Sequence, residues 1–127
     1  MSDPISISAL ALRAGVKASA LRFYEDEGLI QSQRSAGGQR QYAKEVLRRV
    51  AFIRAAQSVG LSLGEIRDAL AGLPDQRTPT QADWTRLSRS WQPLLQARID
   101  ALTQLRDQLD ACIGCGCLSL KKCKLYN

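Results

Sequence analysis

One long apolar stripe constrains the fold of this chain more than any other feature of its sequence. Large apolar side chains recur every three or four positions from residue 84 to residue 109, which is the period of one face of an α-helix. The stripe consists of Trp84, Leu87, Trp91, Leu95, Ile99, Leu102, Leu105 and Leu109. It predicts a helix over residues 81–111, about 45 Å long.

A helix of this length needs a partner, because a chain of 127 residues is too small to cover the whole stripe. The simplest partner is the same helix of a second copy, packed as an antiparallel coiled coil in a twofold homodimer. The alternative is that the helix folds back on its own domain. Pro93 lies within the stripe, and we expect it either to kink the helix or to begin a new one.

Two short helices are predicted near the N-terminus, over residues 6–15 and 19–27. Gly15 and Gly28 are suited to end them, because glycine readily adopts the left-handed conformation found at helix ends. Ser19 is a possible cap for the second helix. Two short helices joined by a tight turn form a helix-turn-helix pattern.

Residues 31–42 change character and predict a small β-wing. The segment is polar, and its central Gly-Gly pair suits a two-residue hairpin turn in which both residues have positive φ. Arg34 lies on one arm of this hairpin, and Arg40 and Tyr42 lie on the other. A plain flexible loop is the competing interpretation.

Two further helices are predicted, over residues 43–58 and 62–71. The second begins with a capping box, because Ser62 is followed three residues later by Glu65. Residues 73–80 contain two of the four prolines and are typical of a linker. Three arginines of the first helix are expected on the surface: Arg48, Arg49 and Arg54.

The charge is unevenly distributed and favours an anionic partner for the N-terminal half. Residues 1–55 carry a net charge of +4, residues 56–111 carry −1 and residues 112–127 carry +3, which together give the +6 of the chain. Nucleic acid is the commonest partner of such a basic half. Ordinary solvated surface charge is an equal alternative on charge alone.

Composition argues against two classes of protein. The chain has no histidine, which removes the usual general base, and it has no phosphate-binding loop, so we do not expect an enzyme. No apolar run approaches the roughly 20 residues that span a membrane, and the N-terminus lacks the pattern of a signal peptide. We therefore expect a cytoplasmic, nucleoid-associated protein with no membrane partner.

All four cysteines lie within 12 residues, directly after the predicted long helix. They are Cys112, Cys115, Cys117 and Cys123, with the spacing Cys-x2-Cys-x-Cys-x5-Cys. This grouping predicts a loop in which the four thiolates share one metal site. Disulfides are disfavoured in a cytoplasmic protein and would be strained at this spacing. Structural zinc and an iron–sulfur cluster remain equal alternatives on spacing alone.

These motifs together resemble those of the MerR family of transcription regulators. The N-terminal match covers residues 7–42, where ALRFYEDEGLI is followed by Arg34, Arg40 and Tyr42. The C-terminal DACIGCGCLSLKKC is similar to the metal-binding run of a redox-sensing branch of that family. The two motifs occur in the family's order, and the resemblance covers nearly the whole chain.

The resemblance implies a mainly α fold in three segments. Residues 1–74 would form a winged helix-turn-helix DNA-binding domain. Residues 75–111 would form a linker and the dimerisation helix of an antiparallel coiled coil, and residues 112–127 the cluster-binding segment. The side chains expected to contact DNA are Lys17, Ser19, Arg22, Tyr24, Arg34, Gln39, Arg40 and Tyr42. Phe23 is expected to lie in the core.

The same resemblance implies a redox-sensing transcriptional activator. The four cysteines would bind one [2Fe–2S] cluster in each subunit of a homodimer. Oxidation of the cluster would distort double-stranded promoter DNA, so that RNA polymerase can transcribe genes of the response to oxidative stress or redox-cycling drugs. One alternative is a metal-ion sensor or zinc-stabilised repressor with the same DNA-binding half. The other is an electron-transfer protein whose basic half docks on an acidic partner.

Overall fold

The protein is mainly α-helical, as predicted, with a small antiparallel sheet. A computed structural model describes residues 3–74 and 77–115, with side chains in the last helix described as far as Ala111. The elements are β1 (Ile5–Ser6), α1 (Ile7–Ala14), α2 (Ala18–Asp26), β2 (Gln33–Arg34), β3 (Arg40–Tyr42), α3 (Val46–Ser58), α4 (Leu63–Leu70) and α5 (Gln81–Cys115). The chain divides into two compact units, Met1–Leu87 and Ser88–Asn127.

The helix-turn-helix consists of α1 and α2, and its helix ends follow ordinary capping chemistry. The Ser6 hydroxyl accepts a hydrogen bond from the Ala9 amide at 3.1 Å, and Gly15 ends α1 with a φ of 70°. The predicted cap of α2 was wrong. Lys17 is the N-cap, because the Ala20 and Leu21 amides already donate to the Lys17 carbonyl. Ser19 therefore lies inside the first turn of α2.

The wing belongs to a three-stranded antiparallel sheet in the order β1-β3-β2. Strand β1 pairs with β3 and was not predicted, because its two residues directly precede α1 and read as part of that helix. The two-residue turn was also wrong. The Ser35 amide donates to the Gln39 carbonyl, and the Gly38 amide donates back to the Ser35 carbonyl. This is a three-residue loop, in which Gly38 alone has a positive φ, 81°.

Helices α3 and α4 complete the first unit. The capping box of α4 is confirmed, since Ser62 and Glu65 exchange side-chain and backbone hydrogen bonds at 3.0 and 3.1 Å. Helix α3 begins at Val46, after a turn that the sequence pattern assigned to the helix.

The prediction of three surface arginines on α3 is wrong at Arg49. Its guanidinium group is buried between the Glu45 carboxylate, at 3.0 Å, and the Pro74 carbonyl, at 3.1 Å. The Glu45 pair offsets the cost of burying the charge, and the Pro74 contact ties α3 to the segment that follows α4. Arg48 and Arg54 are exposed, as expected.

The core of the first unit draws one apolar face from each helix and one aromatic ring from the sheet. The largest fully buried side chains are Tyr42, Leu10, Leu21, Ile53, Ile66 and Val50. They come from β3 and from α1 to α4, so the sheet and all four short helices share one core. This core fixes the orientation of α2 and the wing.

The start of α5 is held by a buried carboxylate. Asp83 accepts hydrogen bonds from the Thr80 amide at 2.7 Å and from Arg77 at 2.7 Å, and Arg86 lies at 3.4 Å. The Asp83 amide donates in return to the Thr80 hydroxyl. The Arg77 and Thr80 hydrogen bonds hold the pKa of Asp83 well below its usual range. The arrangement is a capping box that continues into an ion-pair cluster.

Helix α5 runs farther than predicted, to Cys115, so its last turn includes two of the cysteines. Pro93 lies inside α5, and no new helix begins there. The kink expected at this residue stays a prediction. Among the described residues, no helix combines the length and the apolarity needed to span a membrane.

The apolar stripe is buried at its beginning and exposed after it. Leu87 is buried, and the Trp84 ring contacts Phe52 of α3 with centroids 6.0 Å apart. Trp91 is half-buried. The next five members of the stripe are between 36 and 65% exposed in the single chain: Leu95, Ile99, Leu102, Leu105 and Leu109. The structure therefore contains a long apolar helix face open to solvent.

Candidate nucleic-acid interface and cysteine segment

One face of α2 is exposed and carries a mixed polar and aromatic set of side chains. With 100° between successive residues, Ser19, Arg22, Phe23 and Asp26 share this face, and all four are exposed. Lys17 is exposed at the N-cap, and its side chain makes no capping hydrogen bond. The opposite face is buried in the core. Ser19 and Arg22 of the predicted DNA-binding set thus lie on one accessible face of α2, and Lys17 is exposed at its N-terminal end.

Two aromatic assignments in α2 are reversed in the structure. Tyr24, expected to face DNA, is only 7% exposed, and its hydroxyl donates to the Gln57 side chain of α3 at 3.0 Å. Phe23, expected in the core, is 45% exposed. The reason is helix periodicity, because Tyr24 follows the buried Leu21 by three residues and shares its face. That periodicity was available in the sequence.

The wing presents the predicted polar groups near its turn. Arg34 is exposed, and its guanidinium group donates to the Gly38 carbonyl at 3.0 Å, which draws the side chain toward the tip. Gln39 is exposed beside that tip, and Arg40 is half-buried on β3. The register places Arg34 opposite Arg40 on the paired strands. Two cationic side chains therefore occur at one position along the wing.

Tyr42 does not lie on the surface of the wing, so its predicted contact with DNA is corrected. Its ring is fully buried, and its hydroxyl donates to the Glu25 carboxylate at 2.6 Å. A large aromatic side chain on the inward face of a short strand contributes more by filling the core than by reaching a phosphate. Tyr42 supports the wing from inside.

Glu25 is the functional residue that sequence reasoning missed. Its carboxylate accepts hydrogen bonds from Tyr42 and, at 2.7 Å, from Ser32, and it lies 3.9 Å from the Arg40 guanidinium group. Burial acts to raise the pKa of Glu25, but these hydrogen bonds and the charges of Arg40 and Arg34 lower it overall. The carboxylate therefore joins α2 to the wing as an ionised group.

Two arginines from neighbouring helices fix the helix-turn-helix from outside. Arg67 of α4 donates to the Glu27 carbonyl at 2.9 Å and to the Glu27 carboxylate at 3.0 Å, just beyond the end of α2. Arg54 of α3 donates to the Ala14 carbonyl at 2.8 Å, at the C-terminal end of α1. Cations are favourable at helix C-termini, where carbonyl groups lack helical partners. Both bonds hold the helix ends that flank the exposed face of α2.

The cysteines fall at the edge of the described residues. Cys112 and Cys115 lie in the last turn of α5, three residues apart, rather than in a loop. Cys117 and Cys123 lie outside the described residues. Among the side chains that the structure describes, His, Cys, Asp and Glu form no group of three or more that could hold a metal ion. The four-cysteine site stays a prediction.

Comparison with known families decides what kind of protein carries this surface. Residues 5–73 match the family described as "MerR HTH family regulatory protein", and residues 47–112 match "MerR, DNA binding". The chain belongs to the MerR family. The match extends from the sheet and helix-turn-helix into α5, so it covers the elements described above. MerR-family membership makes the chain a transcription regulator and not an enzyme.

Individual MerR relatives are similar over most of the chain. The HTH-type transcriptional activator SoxR homolog of Chromobacterium violaceum is 64% identical over 97% of this chain and 83% of its own length. The HTH-type transcriptional regulator HmrR of Rhizobium leguminosarum bv. viciae is 30% identical over 87% of this chain and 88% of its own. The structure of the regulator PbrR691 from Ralstonia metallidurans CH34, in complex with lead(II), aligns over 97% of both chains with a TM-score of 0.54 and 28% identity.

We predict that Tyr42→Phe lowers the free energy of unfolding by about 1 kcal/mol at pH 7, the usual net value of one hydrogen bond. Burial and the hydrogen bond to Glu25 raise the pKa of Tyr42 to about 12, above the ordinary value of 10.0. The bond should therefore stabilise the fold fully below pH 10, and this contribution should disappear as the pH rises through 12. Urea unfolding of both proteins from pH 7 to pH 12 measures the difference.

The Glu25→Gln background provides the control for this prediction. If the carboxylate is the partner that matters, Tyr42→Phe should cost less there than in the native chain. Equal costs in both backgrounds, with the same dependence on pH, would contradict the prediction.

Proposed function

We propose that this MerR-family protein is a redox-sensing transcriptional activator, which acts in the cytoplasm as a homodimer on double-stranded promoter DNA. Residues 1–74 would bind the DNA, residues 75–111 would connect and dimerise the subunits, and residues 112–127 would hold one [2Fe–2S] cluster per subunit. The observation that carries the redox part is the set of four cysteines within 12 residues at the end of α5. The 64% identity to a SoxR homolog, a transcriptional activator, supports it.

The exposed face of α2 supports the DNA-binding part. A major groove admits one α-helix, and the guanidinium group of Arg22 and the hydroxyl of Ser19 are able to donate hydrogen bonds to phosphates or base edges. Lys17 lies at the N-terminal end of α2, where the helix dipole also favours an anion. The wing would contact the flanking backbone through Arg34, Gln39 and Arg40. Tyr24 and Tyr42 support these groups from the core and are not part of the contact set.

The open stripe of α5 supports the dimer. Five large apolar side chains in succession, all at least 36% exposed, form a continuous helix face that is costly to leave in water. Pairing with the same face of a second copy would remove it from solvent. An antiparallel arrangement gives the twofold symmetry that matches two half-sites on DNA.

The cysteine set fits a [2Fe–2S] cluster, which is held by four thiolates. Cys112 and Cys115 lie on the last turn of α5, and the two remaining cysteines follow within eight residues of Cys115. Lys121, Lys122 and Lys124 lie beside the fourth ligand in the sequence and would offset the negative charge of the thiolates. Zinc, which the same donor set also suits, is the alternative that a spectrum must exclude.

The proposed switch acts through α5. When bound, the cluster would supply a reversible one-electron change, which alters the charge at the end of α5 by one unit. At the other end of α5, Trp84 contacts Phe52 of the head that carries α2 and the wing, and Asp83 binds Arg77 and Thr80 of the linker. Oxidation would bias the setting of the two heads, so that bound promoter DNA is distorted and RNA polymerase can engage it.

DNA binding through cationic side chains predicts a strong dependence on salt. We expect Arg22→Ala and Arg34→Ala each to weaken binding to a selected twofold operator. Each should also reduce the slope of log affinity against log salt by about 2, because both subunits lose the contact. Fluorescence anisotropy across a potassium chloride titration measures both quantities. Arg106→Ala is the matched control, since Arg106 is exposed on α5 and pairs with Asp107. Affinity that barely changes with salt would rule out these contacts.

Dimerisation through the stripe predicts that one charge on it dissociates the protein. We expect Leu102→Lys to shift the solution mass toward the 14.0 kDa of a single chain, because a buried lysine in a paired helix face lacks a partner. Sedimentation equilibrium measures the mass. Gln104→Lys, which adds the same charge to α5 outside the stripe, should stay dimeric. Equal masses for the two variants would refute this interface.

If the four cysteines hold the cluster, substituting them should abolish redox sensing without abolishing DNA binding. Alanine at any of Cys112, Cys115, Cys117 or Cys123 should abolish the visible absorption of the anaerobically purified protein, and with it promoter activation in a transcription assay. DNA binding should survive, because the cysteines lie outside the DNA-binding head. Ser119→Ala in the same segment is the control and should keep the colour and the activity.

Absorption and electron paramagnetic resonance spectra before and after dithionite distinguish the metals. An iron–sulfur protein should be reddish-brown and should change on reduction, whereas a zinc protein should be colourless. A colourless protein with zinc bound would replace the redox proposal with the zinc alternative. Loss of DNA binding in all four cysteine variants, with the fold intact, would contradict the separation of the two functions.

A further inference from the structure

Phe23 is an exposed aromatic side chain in the middle of the surface that faces DNA in the proposed function. Among the described aromatic residues, it is the one that is exposed. Its ring lies against Tyr24, with centroids 6.2 Å apart and an angle of 52° between the planes. The Tyr24 hydroxyl is in turn bonded to Gln57. One side of the Phe23 ring thus contacts Tyr24, which is itself held by a hydrogen bond, and the rest of the ring is exposed to solvent.

We propose that Phe23 is a specificity-determining residue that recognises thymine, by contact of its ring with the 5-methyl group in the major groove. This inference rests on the proposed DNA binding by α2. Thymine is the base that presents a methyl group at the major-groove edge, and phenylalanine is among the side chains that contact it. A phenyl ring has no hydrogen-bonding group and so gains little from a phosphate or from a polar base edge.

The charges around Phe23 favour base edges over the phosphate backbone. Ser19 lies one turn before Phe23 on the same face of α2, and Asp26 lies three residues after it. The Asp26 carboxylate is exposed and would repel a phosphate at this end of the helix. Lys17 at the N-cap and Arg22, which directly precedes Phe23, provide positive charge on the N-terminal side of the ring. Phe23 thus lies between the cationic groups and Asp26 on the exposed face of α2.

Uracil provides a direct test, because it differs from thymine at the groove edge by the methyl group alone. The operator is first enriched from a random DNA library with the native full-length protein. Each thymine of that operator is then replaced by deoxyuridine, one at a time, and affinities are measured by fluorescence anisotropy. We expect at least one position at which the native protein loses about fourfold in affinity, the equivalent of about 0.8 kcal/mol for one buried methyl group.

Two variants connect that methyl group to Phe23. Phe23→Ala and Phe23→Gln should bind the thymine operator about sixteenfold more weakly, because both subunits lose a fourfold contact, and should show no further loss with deoxyuridine at that position. Leu12→Ala is the matched control, because Leu12 is an exposed apolar side chain on α1. It should keep the full response to deoxyuridine. Thermal unfolding of each variant checks that the fold is intact, and two substitutions of different polarity prevent one poorly folded variant from deciding the result.

The outcomes separate this inference from the proposed function. If the native protein enriches no operator, the DNA-binding proposal fails and this inference fails with it. If the protein binds its operator but no thymine responds to deoxyuridine, Phe23 does not read a methyl group, although DNA binding stands. If the losses from deoxyuridine and from Phe23→Ala multiply, the methyl group contacts another residue and the assignment to Phe23 is wrong.

Discussion

A single carboxylate joins α2 to the wing, the two elements of the proposed DNA-binding surface. Glu25 projects from α2 and accepts hydrogen bonds from Tyr42 on β3 and from Ser32 at the approach to β2. The two strand pairings of the wing are short, and such small sheets are marginal on their own, so this contact adds a direct link between the wing and α2. Because the carboxylate is partly buried and charged, loss of its two hydrogen-bond donors would leave Arg40, at 3.9 Å, to offset the charge. The spacing between groups on α2 and groups on the wing follows from this junction together with the core that Leu21 and Tyr42 share.

The second constraint is the division of the stripe on α5. Its first members, Trp84 and Leu87, lie in the first compact unit, where Phe52 contacts the Trp84 ring and Leu87 is buried. Its later members are exposed in the single chain. One periodic pattern thus contains members that are buried within the chain and members that are exposed, and periodicity alone does not distinguish the two groups. The capping cluster around Asp83 fixes where the helix starts, and so which members of the stripe meet the head.

What the sequence predicts well is local. Helix periodicity and the Ser62 capping box depend on residues three or four apart, and the structure agrees with both. What the sequence does not reveal depends on contacts between distant residues. Tyr42 and Glu25 are 17 positions apart, and Arg49 is buried because a carbonyl 25 positions later accepts its hydrogen bond. Strand β1 exists only because β3 pairs with it. The error at Tyr24 and Phe23 has a different cause. Tyr24 lies three residues after the apolar Leu21 and shares its helix face, so helix periodicity alone predicts that Tyr24 is buried and Phe23 exposed.

The extension of α5 to Cys115 bears on how the proposed sensor would act. If the metal site lay on a loop after the helix, a change in its charge could rearrange the loop without affecting the helix. With Cys112 and Cys115 inside the last helical turn, half of the proposed ligands belong to the backbone of α5 itself. A change of one charge there would act on the hydrogen-bonded end of a helix, whose carbonyl groups already carry partial negative charge. The same helix begins at the Asp83 cluster and contacts Phe52 of α3 through Trp84, so the element on which the proposed redox change would act also contacts the proposed DNA-binding domain.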